Sequence, residues 1–596
     1  LQRENSFFDK YINHGIAPVN IILAGFICTQ YGKKEDTTLF YFIIALSLLF
    51  DKGHIRVSID EITSELEIAK LSAIDDIEKE LYSLIAKEIS DPIKIIKDNP
   101  SIFLPVEKLE KIENGNPQEN DPQNRAPYLL LDEGKQIATE KLYFREKRFT
   151  DNFLNYLKSA SKQKETKVLN KKDILSKVTS FEKSNNIALE EKQKEAVIKS
   201  FAEKYMIIAG GPGTGKTTVI KAIIETHLLI DPSLSGMIAV AAPTGKAARR
   251  LETVLGNLVV DGKVKKPKTM HTLLNLGYNE RDPFSLLPYR MIIIDESSML
   301  DLKMMQELMT MLHGNCSLIM VGDPQQLPAV GSGTLFSDIT DDIENSSHML
   351  NQHYVILERV KRSQGAILEF SENIRKGIFK KEDLKNDDNI KLLSPDFDII
   401  YSYAKEKYKI LLSCAKEGNP EKMLDALSSF VLLAPYNYGL LGVKNLNNKL
   451  ASYFSDGKKY YFQGLPIIIT KNDYDNGLYN GDRGVIIYED SIYYAIFKNA
   501  DEGIKKISSS ILKEWEISYV QTVYKSQGNE YDSIAVAIAT EADQIKAVTR
   551  EVLYTAVTRA KKEIVIFGEE NAIKEILKRK VTRNSGIKKV MLDLEK

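Results

Sequence analysis

Between Gly210 and Thr217 the chain reads Gly-Gly-Pro-Gly-Thr-Gly-Lys-Thr, the pattern of a phosphate-binding loop. Successive backbone N–H groups in such a loop can wrap a polyphosphate, and the dipoles of a following helix favour the same negative charge. Gly210, Gly211, Gly213 and Gly215 permit the tight path, with Pro212 and Thr214 between them and Thr218 just beyond. Lys216 can reach β- and γ-phosphates, and Thr217 can place its hydroxyl on Mg²⁺. Asp295 and Glu296 end the apolar run Met291–Ile294. Carboxylates there stand at the carboxyl edge of a sheet, where Asp295 would hold the hydration shell of the cation and Glu296 would deprotonate the attacking water. Gly322-Asp-Pro-Gln-Gln-Leu327 follows another buried run, and Gln325 is the expected sensor of the γ-phosphate. Phosphoryl transfer also calls for fixed positive charge, for which Arg362 and Arg559 are the candidates.

These side chains need a parallel sheet to hold them. Apolar strands are expected at Tyr205–Ala209, Met237–Ala242, Met291–Ile294 and Ser317–Val321, with helices at Gln193–Phe201, Thr217–Leu229 and Leu302–Leu312 between or beside them. Strands alternating with helices give a parallel sheet covered on both faces. A second α/β region has strands at Val431–Ala434, Ile534–Ile538 and Ile564–Phe567. Between them, turns at Asn472-Asp473, Asn476-Gly477 and Asn480-Gly481 mark a small β-rich insertion.

With 596 residues the chain exceeds one hydrophobic core. Apolar content of 43% and charged content of 27% fit a folded chain, and the formal net charge of -1 means that any cationic surface is local. Cys28, Cys316 and Cys414 form no metal-ligand spacing, and Cys28 and Cys316 are expected in the core. The apolar runs Val19–Cys28 and Leu39–Phe50 are shorter than the roughly 18 residues of a membrane span. The second is expected to be a buried helix ending at Asp51-Lys52-Gly53, and no cationic leader precedes a signal-like segment, so a cytoplasmic protein is expected.

The motifs in order resemble superfamily 1 helicases and, within them, the RecD family, the alpha subunit of RecBCD enzymes (exodeoxyribonuclease V). The resemblance rests on Leu189–Val197, Gly210–Thr218, Ala242–Ala248, Thr269–Leu273, Ile294–Met299, Gly322–Pro328, Leu357–Arg362, Tyr519–Glu530 and Leu553–Ala560. It implies tandem RecA-like P-loop motor domains with a helical N-terminal domain and a small SH3-like insertion. It places Gln193 on adenine, Gln527 and Gly528 near the nucleotide, and Arg362 and Arg559 as arginine fingers. It assigns contacts with single-stranded DNA to Thr244, His271, Thr272, Asn437, Thr522, Tyr524, Lys525 and Ser526. Tyr524 stands where the family usually has His.

The expected layout is a helical partner-docking domain at 1–110, a linker and the start of the motor region at 111–185, a first motor domain at 186–345 with an excursion at 251–285, and a second at 346–596 carrying the insertion at 455–516. By resemblance, ATP and Mg²⁺ serve 5′-to-3′ movement on single-stranded DNA from a duplex end, beside RecB-like and RecC-like partners in a heterotrimer. DNA cutting falls to a partner. A stand-alone RecD-like helicase, an RNA motor and a structural subunit that binds ATP without essential turnover are the alternatives.

Overall fold

The computed structural model describes residues 18–64, 66, 76–108, 126–162, 170–276, 285–345, 349–357, 365–384, 389–437, 439–455, 461–473, 475–499, 503–540, 545 and 548–587. Arg362 lies outside the described residues.

The run Leu39–Phe50 forms the helix Thr37–Asp51, whose first turn is capped by the Asp36 carboxylate accepting from the Leu39 N–H at 2.9 Å. Its apolar side chains are buried against the helices Pro18–Gln30 and Asp76–Glu88. They also meet a sheet of β1 (Val57–Ser58), β2 (Phe103–Pro105), β3 (Tyr128–Leu131) and β4 (Gln136–Thr139), in the order β1-β4-β3-β2. This corrects the expected boundary at 110. The β3–β4 hairpin completes the N-terminal core, because Phe103 and Tyr128 stack with ring centroids 5.5 Å apart. The stretch expected as linker also holds the helix Glu140–Lys162. It is bolted to the first motor domain through buried Phe149, Phe153 and Tyr156, and the Tyr156 hydroxyl donates to the carbonyls of Lys204 and Cys316 at 2.9 and 2.8 Å.

The first motor sheet comprises β5 (Tyr205–Ala209), β6 (Ile238–Ala242), β7 (Lys268–Thr269), β8 (Met291–Ile294), β9 (Ser317–Gly322) and β10 (Tyr354–Ile356), ordered β10-β5-β9-β8-β6-β7 and parallel throughout. Its strands alternate sides: Tyr205, Ile207 and Ala209 enter one core, Met206 and Ile208 the other. β10 pairs with β5, so the first motor domain continues past the expected end at 345. The irregular excursion supplies β7, an edge strand beside β6.

The second motor sheet starts with β11 (Ile390–Leu393) and β12 (Phe430–Ala434). The chain then builds an antiparallel five-stranded sheet of β13 (Pro466–Ile469), β14 (Arg483–Glu489), β15 (Ile492–Asn499), β16 (Gly503–Ser508) and β17 (Trp515–Ile517). It returns as β18 (Val520–Thr522), β19 (Tyr531–Ala537) and β20 (Ala560–Phe567), giving a parallel sheet ordered β11-β20-β19-β12-β18. The final described residues do not stay with this domain. Ile587 is buried in the core of the first motor domain, which corrects the assignment of everything after 346 to the second. Cys28 and Cys316 are buried, as their apolar surroundings suggest. Among the described residues no helix is long and apolar enough to cross a membrane.

Candidate nucleotide and nucleic-acid site

The phosphate loop leaves the carboxyl end of β5 and opens into the helix Lys216–Ile230. Its first N–H, on Gly210, donates to the Gly322 carbonyl at 3.0 Å, tying the loop to the end of β9. Lys216 folds back and donates to the carbonyls of Gly210 and Gly211 at 2.6 and 3.1 Å, so its ammonium is held in the hollow where phosphates would sit. Gly215 caps the helix at φ +79°, and a Cβ there would stand 2.5 Å from the Gln193 amide nitrogen, so a side chain is excluded both by conformation and by space. Gln193 accepts from the Glu190 N–H at 3.0 Å and donates to the Thr214 carbonyl at 2.9 Å. It braces the loop while keeping one amide hydrogen and one lone pair for a base.

Asp295 and Glu296 stand at the carboxyl end of β8, two strands from β5, a span of roughly 10 Å. Asp295 is buried and accepts from the Glu296 N–H at 2.9 Å. Glu296 adopts φ +53°, a strained left-handed conformation that turns the backbone sharply after the strand. Desolvation, then Glu296, raises the Asp295 carboxyl to about 6, while Lys216 opposes them. The Thr217 hydroxyl and a desolvated carboxylate are hard oxygen donors, the chemistry that suits Mg²⁺. Between the ordinary carboxylate value of 3.8 and about 6 the folded chain holds a proton that the unfolded chain has released, so rising pH removes stability across that window. Above it a bound cation would relieve the desolvated charge. We therefore expect the rise in Tm given by Mg·ATP to be larger at pH 7.5 than at pH 5.5, measured by thermal unfolding; equal shifts would exclude Asp295 as the cation's carboxylate.

The segment after β9 is where the two motor domains meet. The Asp323 carboxylate accepts from the Gln326 amide at 3.0 Å and, across the seam, from the Tyr554 hydroxyl at 3.0 Å. The Leu327 N–H donates to the Thr555 hydroxyl at 2.9 Å, and Gln527 donates to the Leu327 carbonyl at 2.9 Å. Gln325, the expected sensor, is half-exposed and Gln326 is buried; both line a cavity of about 180 Å³ with Ser337, Glu551 and Lys580–Asn584. The turn set by Pro324 sends the first glutamine outward and the second inward, which adjacent identical residues do not reveal.

Arg559 is buried, with hydrogen-bond partners from the second domain. Its guanidinium donates to the carbonyls of Thr555 and Asn529 at 3.1 and 3.2 Å and to the Thr558 hydroxyl at 3.3 Å. Beside it, Glu530 pairs with Arg250 of the first domain at 3.3 Å and with Lys561 at 3.5 Å. Although desolvation pushes the other way, Arg250, Lys561 and Arg559 hold Glu530 below its usual range. Glu530, Arg250 and Lys561 border a seam cavity of about 580 Å³ that also receives Lys246, Arg483 and Gly528. Arg250, Arg483 and Glu530 are missed by a motif reading, because their partners come from remote segments. The insertion closes one side: Asp482 pairs with Arg249, whose guanidinium lies 4.9 Å from the Tyr479 ring centroid.

The residues expected to touch DNA divide into two groups. Thr244 caps the helix Gly245–Leu255, and His271 and Thr272 sit just past β7 with exposed side chains. Asn437 is exposed after β12, and Lys525 is half-exposed, paired with Glu516 at 2.7 Å. These positions cluster beyond the carboxyl ends of parallel strands in both domains. Thr522 and Ser526 do not join them. Thr522 is buried and accepts from the Lys525 N–H at 3.2 Å, and Ser526 is fully buried with its hydroxyl donating to the Val523 carbonyl at 2.7 Å. Both shape the turn from inside, a correction to their assignment as track contacts. Tyr524 is half-buried against the core of the second domain.

Two parallel sheets sharing a seam, with a phosphate loop on one and a buried arginine on the other, define a tandem P-loop motor of the helicase class. The AAA domain family matches residues 193–332, and the UvrD-like helicase C-terminal domain family matches residues 518–567. Within that class the chain is RecD-like. It is 28% identical over 486 residues to the RecBCD enzyme subunit RecD of Haemophilus influenzae, covering 67% of this chain and 72% of that protein. It is 26% identical over 558 residues to the RecBCD enzyme subunit RecD of Buchnera aphidicola subsp. Acyrthosiphon pisum, covering 83% and 86%. Its match to the ATP-dependent RecD2 DNA helicase of Deinococcus radiodurans is 26% identical and covers 64% of this chain and 50% of that protein.

Proposed function

We propose that the chain is the 5′-to-3′ single-stranded DNA translocase of a RecBCD-type helicase-nuclease acting at duplex ends in the cytoplasm. It is an ATP-dependent DNA helicase of the RecD type. The observation that carries the motor reading is the buried bonding of Asp323 and Leu327 to Tyr554, Thr555 and Gln527, because it couples the end of the nucleotide-bearing sheet to the second domain.

Lys216 binds phosphate, Glu296 takes the proton of the attacking water, and Gln325 senses the γ-phosphate, with Gln326 bonded to Asp323 beside it. Arg559 and Arg362 supply charge from the second domain, and Gln193 reads the base. Thr217 and Asp295 would hold Mg²⁺, which when bound neutralises phosphate charge. Tightening of the seam then shifts the grip of Thr244, His271, Thr272, Asn437, Tyr524 and Lys525 on a strand. The antiparallel insertion, read as SH3-like, packs against the first domain at Gly245 and Arg249 and would help to wall the passage.

Docking to RecB-like and RecC-like partners is supported by the helix Pro18–Gln30, which buries one face and exposes Val19, Ile22, Leu23 and Phe26 at helical spacing on the other. The test uses the chain as purified from its own cells, with mass identification of what accompanies it. ATP turnover is expected to rise with single-stranded DNA and less with RNA, and streptavidin is expected to leave a 3′-biotinylated strand faster than a 5′-biotinylated one. Equal stimulation by RNA favours an RNA motor, and no stimulation by either strand overturns the reading.

A further inference from the structure

Beyond the helix Glu570–Leu577 the chain turns back across the seam. Arg579 and Val581 still belong to the second domain, where Arg579 donates to the carbonyls of Val548 and Ile545 and the Val581 N–H donates to Glu551 at 2.9 Å. Two residues later the contacts change owner. The Arg583 guanidinium donates to three carbonyls of the first domain, Ala329 at 2.7 Å, Gly331 at 2.9 Å and Gly333 at 3.2 Å. The Asn584 carbonyl accepts from the N–H groups of Ile55 and Arg56, Ser585 donates to Asp338 at 2.8 Å, and the Gly586 N–H donates to Glu146 at 2.6 Å. Ile587 then enters the core beneath the first sheet.

Arg583 sits at the crossing point. The carbonyls it gathers belong to the loop that directly continues Gly322–Pro328, the segment bonded across the seam. The strap that carries it is bonded just before, at Arg579 and Val581, to the second domain, whose Tyr524 turn is assigned to the DNA grip. Burial raises the Tyr524 hydroxyl above the usual phenol range, and Arg583 is close enough to oppose that shift. On a third side the N-terminal domain comes so near that a Cβ at Gly53, which has φ +94°, would lie 2.6 Å from the guanidinium carbon. The three carbonyls share the two N–H groups of one guanidinium nitrogen, Nη1, held in place by a planar group that a lysine ammonium on its flexible stem does not position in the same way.

We propose that Arg583 is a positioning residue that ties the loop continuing Gly322–Pro328 to the strap, and through Arg579 and Val581 to the second domain, so that the nucleotide state is transmitted to the grip on DNA. This rests on the translocase reading above. It touches neither phosphate nor strand; it fixes the distance between the segments that do. The strap 578–587 is thus part of the motor's coupling, closing the two domains into a loop through the N-terminal domain.

The test compares the full chain with R583A and R583K, measuring Tm, ATP turnover without DNA, the oligonucleotide concentration giving half-maximal stimulation, and nucleotides travelled per ATP. Both variants are expected to keep DNA-independent turnover within about twofold. The half-maximal concentration is expected to rise about tenfold and the distance per ATP to fall, with R583K closer to R583A than to wild type. If R583A does not fold, R583K alone carries the comparison. Unchanged DNA dependence in a folded variant overturns the proposal, as does an equal loss of turnover with and without DNA. A wild-type chain that DNA does not stimulate refutes the translocase reading instead, so the two failures are distinct.

Discussion

Glu296→Gln is expected to lower DNA-stimulated ATP turnover by about 10²–10⁴-fold while leaving ATP binding within a few-fold of wild type. The substitution keeps the size and the polar contacts of the side chain but removes its basicity. Asp295 is unsuited to replace it, because its carboxylate is buried and engaged by the Glu296 N–H. Glu296 is half-buried and reaches its place through the left-handed turn that follows β8. That turn separates two adjacent acids into two environments, one desolvated for a cation and one open to water. Single-turnover hydrolysis with a fluorescent ATP analogue measures both quantities. A variant retaining more than a tenth of wild-type turnover would show that another group takes the proton.

Arg559→Lys is expected to cost about 10³–10⁵-fold in turnover, the range for an arginine finger, with a smaller change in the KM for ATP. In the structure three of the five guanidinium N–H groups are used, on Thr555, Asn529 and Thr558, and Glu530 stands beside it, so two donors remain for a phosphate. Lysine keeps the charge but not the planar set of donors, so a loss in R559K isolates geometry from charge. Because the residue is buried, Tm is measured alongside: a turnover loss matched by a collapse in Tm would mark a structural role, and a turnover loss in a stable protein marks the finger.

The chemistry of the first domain was legible in the order of residues because it is local. A strand, a glycine-rich turn and a helix place Lys216 and Thr217 whatever surrounds them, and an apolar strand ending in two acids needs no distant partner to present them. The strands Tyr205–Ala209 and Met291–Ile294 lie where their apolar runs predict, since strands buried on both faces leave a continuous signal. The seam is not of this kind. Asp323, to which the buried Gln326 is bonded, also accepts from Tyr554, more than two hundred residues away, and no local spacing announces that meeting. Thr522 and Ser526 look like track contacts as sequence, but the folded turn spends their hydroxyls on its own backbone.

Domain boundaries were misread for the same reason. β10 and Ile587 contribute to the first motor domain from beyond the residues expected to end it, and β3 and β4 complete a sheet begun at Val57. Short-range pattern specifies what each segment can become: phosphate cradle, acid pair, buried strand. Which segments meet is settled by burial of apolar faces and pairing of strands at long range, and no local spacing encodes that. The cationic cavity around Lys246 and Arg250 and the joint at Arg583 therefore exist only once the chain has closed on itself.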